Sequence, residues 1–169
     1  WPLEQFVRDA RITRIYEGTN GIQALDLVGR KLGMNGGRSV KRFFAMLQRY
    51  MEENPGAPFV TEVKDASSKL QSATMWLMQQ GMADGEQAGA AATPYLRLFA
   101  LTAVAFFWSR MALLAQQQLE AGTTETDFYQ AKIHSGQFFV SRILPQASSL
   151  LAEIESGKDN LMAMTEAQF

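Results

Sequence analysis

The chain has 169 residues, 47% hydrophobic and 20% charged, with 16 basic and 17 acidic side chains and a formal net charge of −1. This size suits one compact domain or a small domain with an appendage, and the charge balance provides no basic face for nucleic acid. With no Cys and a single His, His134, the sequence excludes disulfides, zinc–thiolate sites and cysteine nucleophiles. It also argues against a histidine-rich metal centre or a Ser-His-Asp triad, so no metal is expected.

The text opens "WPLEQFVRDARI". Starting at Trp1 rather than Met, it reads as a cut through a longer protein. No basic start leading into an apolar run is visible, so no signal peptide is read and a cytoplasmic setting is expected.

Helical spacing dominates, and β-branched residues are sparse. A short helix is expected over Leu3 to Ile15 and a second from Asn20 to Leu32, stopped by Gly33. On the second, Ile22, Leu25 and Val28 or Gly29 are expected to face inward, and Asp26 and Arg30 to pair at i, i+4 on the wet side. Beyond "GMNGG" Ser39 is placed to cap a helix carrying Val40, Phe43, Phe44, Leu47 and Met51 on one face. Asn54-Pro55-Gly56 ends it. The next helix, Phe59 to Met82, spaces Val63, Ala66, Leu70, Ala73 and Leu77 in a small-residue stripe.

Thr93-Pro94 then reads either as an N-cap with Pro in the first turn, or as a Pro inside a helix that begins in "GEQAGAAA". The segment "YLRLFALTAVAFFWSRMALLA" is very apolar, but Arg97 and Arg110 bound the uncharged run Leu98–Ser109. That run is too short for a bilayer, so a buried bundle helix is expected and no membrane span. The last long helix follows Thr124 toward Ile154. Phe128, Ala131, Ser135, Phe138, Arg142 and Gln146 share one face of it, Phe139, Ile143, Leu150 and Ile154 extend the apolar side, and Pro145 should bend or divide it. The tail "KDNLMAMTEAQF" reads as a short docking helix or a frayed end. The fold class is therefore all-α: an antiparallel up-down four-helix bundle over residues 37–169, preceded by a helix–turn–helix piece over residues 1–36.

The candidate chemistry lies in the turn of that first piece. Glu17 is flanked by Gly18 and Gly21, which let the backbone approach a ligand closely. The helix start at Thr19 and Asn20 offers unpaired N–H groups to an anion. Spacing alone favours a plainer reading, in which Thr19 or Asn20 caps the helix and Glu17 is solvated. His134 reads as a helix-face residue. Met75, Met78, Met82 and Trp76 read as filling the core or an interface with another part of the protein. Arg97 and Arg110 are expected to reach solvent or pair with carboxylates.

The run "RDARITRIYEGTNGIQ", Arg8 to Gln23, closely resembles the C-terminal signature of the acyl-CoA dehydrogenase family. In that family the signature reads approximately Arg-Asp-Ala-Lys-Ile, a short spacer, then Ile-Tyr-Glu-Gly-Thr-Asn or Ser. The resemblance implies the C-terminal part of an oligomeric FAD enzyme that desaturates acyl-CoA to trans-2-enoyl-CoA, with an electron-transfer flavoprotein as acceptor. It implies that Glu17 is the catalytic base, that Tyr16 and Gly18 contact substrate, and that Thr19, Asn20 and Gly21 lie against FAD. Gly21 stands where many members carry a larger polar residue, so a side-chain contact to the cofactor is in question there. The chain also continues past the helix that ordinarily closes the family's third domain. In this it resembles, more loosely, a large bacterial subgroup with an extra C-terminal helical domain. Two alternatives stay open: a structural or oligomerisation module of a flavoenzyme, and an acyl-CoA oxidase using the same Glu. As an isolated fragment the chain is expected to be inactive and not to retain FAD.

Overall fold

The computed structural model describes residues 3–15, 19–161 and 163–168, and every regular element among them is helical. Helix α1, Leu3–Arg11, tightens into a 3₁₀ turn over Ile12–Arg14, with the Ile15 N–H donating to the Ile12 carbonyl at 3.0 Å. Glu4 lies in its first turn and Arg8 and Arg11 in its last, complementing the helix dipole. No residue of α1 is buried.

Helix α2, Asn20–Asp26, continues as a π turn over Leu27–Lys31. The Asp26 carboxylate takes Arg30 at 2.5 Å, the expected pair, and Lys31 at 3.1 Å. These two partners hold the Asp26 carboxyl down at about 2. The expected inward face is corrected. Ile22 and Leu25 are 63% and 52% exposed, and the fully buried residue is Ala24. Ala24, Val28 and Leu32 follow one another at i, i+4 spacing on the side turned to the bundle. Leu27, Val28 and Leu32 pack on its core.

Helix α3, Met34–Glu53, passes through three left-handed residues, Asn35, Gly36 and Gly37, before it becomes regular. The turn is made by this left-handed run, natural for Gly and tolerated by Asn. Ser39, expected as the cap, instead lies inside the helix beyond it, and no side-chain cap bond forms at the start of α3. Phe43 stacks on Phe99 at 4.7 Å, and Tyr50 meets Phe106 edge-on at 5.2 Å.

Helix α4, Val60–Trp76, ends in a second π turn, Leu77–Gly81. Its small-residue stripe, Val63, Ala66, Leu70, Ala73 and Leu77, is buried as the spacing predicts. Helix α5, Gly85–Glu120, is capped by Asp84, whose side chain accepts the Glu86 N–H at 2.9 Å. The second of the two readings of Pro94 therefore holds: Pro94 is buried within α5, and Thr93 caps nothing. A Pro inside a helix removes one backbone bond; Ala91 and Ala92 beside it are buried.

Helix α6, Thr126–Phe138, runs into a third π turn, Phe139–Ile143; Pro145 then divides it from α7, Gln146–Glu155. Helix α5 is the hub, with α2, α4, α6 and α7 all against it. It is long and apolar enough, by length and composition, to cross a membrane, but here it forms the centre of the bundle.

Polar groups inside are matched. Thr74 donates to the Leu70 carbonyl at 2.7 Å and shares a 2.8 Å bond with the Tyr95 hydroxyl. Ser109 donates to the Pro58 carbonyl at 2.5 Å and meets the Tyr50 hydroxyl at 2.9 Å. Among the described residues no buried side-chain polar atom lacks a partner. The Pro58 bond anchors the turn before α4, where Phe59 takes a left-handed conformation, φ 64°. Its ring covers Gly136 of α6 so closely that a Cβ there would sit 2.6 Å from Phe59 Cε2.

Candidate active-site segment

Tyr16, Glu17 and Gly18 lie outside the described residues. The structure gives the two sides of that turn. On the incoming side Ile15 is 67% exposed, and Val7, Ala10, Arg11, Arg14 and Ile15 line an open depression. The apolar neighbours that would raise a carboxylate's pKa are therefore not assembled there by α1 alone.

On the outgoing side Thr19 occupies the N-cap position of α2. Its carbonyl accepts the Gln23 N–H at 2.7 Å, while its hydroxyl makes no cap bond. The plain capping reading is thus met in backbone position and not in side-chain bonding. Thr19 is half-buried, and Asn20 and Gly21 are exposed. A Cβ built at Gly21 meets no atom within 4 Å, so packing within this chain does not demand glycine there. The three residues lie together at one helix start, with open space beside them.

The other candidates separate from this segment. His134 is exposed on α6. Arg97 is exposed, as the solvent alternative expected, and donates to the Gln146 side-chain amide oxygen at 2.6 Å. Arg110 is exposed and lies over the Phe106 ring at 5.5 Å. The methionine expectation is corrected for the core: Met75, Met78 and Met82 are 59%, 59% and 83% exposed, and only Trp76 packs against it. Their side of α4 continues past the packed stripe, where no described element lies.

Sequence reasoning missed two features. One is the docking of α2 on α5, in which the buried residue of α2 is Ala24; a small residue in mid-helix was the available signal. The other is a clasp at the far end of the bundle. Lys158 reaches Asp84 and Glu86, each at 2.5 Å, and its N–H donates to the Gln87 side chain at 2.9 Å. Asp84 and Glu86 hold the Lys158 ammonium well above its usual range, and Lys158 in turn lowers Asp84.

Residues 43–165 match the family described as "Acetyl-CoA dehydrogenase C-terminal like". The chain belongs to this family. The described residues are helical as the all-α reading anticipated, which is consistent with this family. The chain is 29% identical to the broad-specificity linear acyl-CoA dehydrogenase FadE5 of Mycobacterium tuberculosis, over all of this chain and 30% of the relative. It is 33% identical to the 3-methylmercaptopropionyl-CoA dehydrogenase of Ruegeria pomeroyi, over 95% of this chain and 28% of the relative. It is 26% identical to the butyryl-CoA dehydrogenase of Syntrophomonas wolfei, over 98% of this chain and 28% of the relative. The chain thus spans about three-tenths of these relatives. All three are acyl-CoA dehydrogenases, and the chain corresponds to a C-terminal part of them.

Proposed function

We propose that this chain is the part of a FAD-dependent acyl-CoA dehydrogenase that carries the catalytic base, Glu17, followed by a helical domain that supports it. The division falls at residues 36/37. The observation that carries the reading is the match of Arg8–Gln23 to the dehydrogenase signature, in a chain whose relatives are dehydrogenases along nearly its whole length. Cytoplasm is the setting that goes with it.

The α-proton of an acyl thioester is a weak acid. Glu17 takes it, and the backbone N–H of Glu17 hydrogen-bonds the thioester carbonyl, so that negative charge developing on oxygen is stabilised. The C–H electron pair left at Cα forms the Cα–Cβ double bond as the β-hydrogen departs with its own pair. FAD, when bound, supplies the acceptor for that hydride. Tyr16 and Gly18 border the acyl chain. Thr19, Asn20 and Gly21 are assigned to the cofactor side: the Thr19 hydroxyl is not used in capping, and nothing within this chain crowds Gly21. An electron-transfer flavoprotein is the proposed onward acceptor, and a homo-oligomer the proposed assembly. The exposed apolar residues of α1, Leu3, Phe6 and Val7, fit a chain whose partner surface is the rest of the enzyme.

The test pairs the isolated chain with the intact flavoenzyme. Residues 1–169, given FAD and octanoyl-CoA, should reduce no dye, whereas the intact enzyme should be bleached anaerobically by an acyl-CoA. Dye reduction at an enzymatic rate by the chain alone would refute the division of the site. An intact enzyme whose flavin no acyl-CoA reduces would refute the activity. Rapid reoxidation of the reduced enzyme by oxygen would turn the reading to an oxidase.

A further inference from the structure

Helices α3 and α4 both contribute to the core around α5. Phe43 and Tyr50 of α3 meet Phe99 and Phe106, and Val63, Ala66 and Leu70 of α4 are buried in the same core. Between the outer edges of the two helices lies an open cleft of about 640 Å³, with Pro55 of the connecting turn in its wall. That is the size of a small-molecule site. Ser67 of α4 also lines it and is only 3% exposed. Its hydroxyl makes no hydrogen bond among the described residues, whereas Thr74 of the same helix bonds back to the Leu70 carbonyl. No fully enclosed side-chain oxygen there lacks a partner, so the Ser67 oxygen is the part of that side chain that reaches the cleft. Thr61, Ser68, Gln48 and Gln71 add hydroxyls and amides, and Met51 and Val60 supply an apolar stretch.

Two opposite charges stand in the same cleft, Glu52 from α3 and Lys64 from α4. Neighbouring charges are taken up in i, i+4 pairs, Arg49 with Glu53 and Lys69 with Asp65. Glu52 and Lys64 enter no ion pair among the described residues, and Glu52 accepts the Gln48 side-chain amide at 2.8 Å. One acid and one base favour a ligand that carries both charges over one of large net charge. Lys64, Ser67, Ser68 and Gln71 follow one another at i, i+3, i+4 and i+7 on α4, a rise of about 10 Å. An extended peptide covers that length in roughly three residues. Hydroxyls and amides both donate and accept, as the N–H and C=O of a peptide group require. We propose that the cleft binds a short zwitterionic peptide of two or three residues. Its ammonium faces Glu52, its carboxylate faces Lys64, a peptide group bonds the Ser67 hydroxyl, and an apolar side chain lies against Met51 and Val60. Every residue involved belongs to α3, α4 or the turn between them, so the site is independent of the Glu17 reading.

Isothermal titration with the tripeptide alanyl-leucyl-alanine tests it, on residues 1–169 and on the intact flavoenzyme alike. One equivalent should bind with a Kd below about 1 mM. N-acetylation or C-amidation of the peptide should each weaken binding about two- to fivefold, as loss of an exposed ion pair does. Lys64→Gln should weaken the free peptide by the same factor and no longer distinguish the acid from its amide. Glu52→Gln should likewise no longer distinguish the free amine from its acetyl form. Ser67→Ala should cost about two- to tenfold in affinity, with the Tm of the ligand-free protein little changed. Lys41→Gln, on α3 but outside the cleft lining, should bind as the parent does. Absence of saturable binding would overturn the site. Equal binding of the free and blocked peptides would overturn the zwitterionic class. Parental affinity in Ser67→Ala, Lys64→Gln and Glu52→Gln together would place the peptide elsewhere and overturn the cleft.

Discussion

Helix α1 and helix α4 are comparable in pattern and opposite in fate. Both carry helical spacing of apolar residues. In α4 the stripe from Val63 to Leu77 is buried, while in α1 Leu3, Phe6 and Val7 are each 65–70% exposed. Periodicity specifies which residues can share a face; burial requires a second surface at the right place. The bundle supplies that surface for α4, and nothing among the described residues supplies it for α1. After it in the chain, α2 packs on α5 of the bundle.

Large-to-small substitutions should expose that contrast most strongly. Leu70→Ala, at a fully buried position, should destabilise the isolated chain by about 2–5 kcal/mol. Phe6→Ala, on the open face of α1, should stay within about 0.5 kcal/mol by the same chemical denaturation. Equal losses at both positions would mean that α1 is docked in solution.

The next largest effect is expected where helices touch most closely. Gly136→Ala must move the Phe59 ring, and with it a turn already held in a left-handed conformation. A loss of about 1–3 kcal/mol should follow, readable as a lowered Tm. A neutral result would show that the ring swings aside freely.

Thr74→Val keeps the shape of the side chain but leaves the buried Tyr95 hydroxyl without its partner, at a cost of about 1–3 kcal/mol. Tyr95→Phe should cost less, about 1 kcal/mol, because Thr74 still donates to the Leu70 carbonyl.

A further effect concerns alkaline pH. Burial pushes the Tyr95 phenol up from 10.0 to about 12. Its folded pKa lies above the unfolded one, so its contribution is fully present below pH 10. The contribution falls away as pH rises through 10 toward 12, when the unfolded chain ionises first. Stability measured across that window should fall less steeply in Tyr95→Phe than in the parent.

Much of the fold was legible in the sequence because the strong signals were local. The α4 stripe, the stop at Asn54-Pro55-Gly56, the Asp26–Arg30 pair and the break at Pro145 each depend on neighbours a few residues away. Some outcomes depended on tertiary surroundings and others on local chain geometry the sequence left open. Ile22 and Leu25 are apolar yet exposed, the buried residue of α2 being Ala24, and Met75, Met78 and Met82 are exposed as well. Ser39 was passed over because Asn35-Gly36-Gly37 turns the chain before it. Pro94 stayed inside α5 because Asp84 had already capped the helix. At the site, the motif read at Arg8–Gln23 singled out Glu17 as the acid. Tyr16, Glu17 and Gly18 lie outside the described residues, and Ile15 before them is 67% exposed.

The central claim, that Glu17 removes the α-proton, is tested most directly by Glu17→Gln in the intact flavoenzyme. With flavin bound at the parental level, anaerobic mixing with octanoyl-CoA should leave the flavin oxidised, and the bound acyl-CoA should take up no deuterium at Cα from D₂O. Flavin reduction or α-exchange at the parental rate would place the base on another residue and contradict the account.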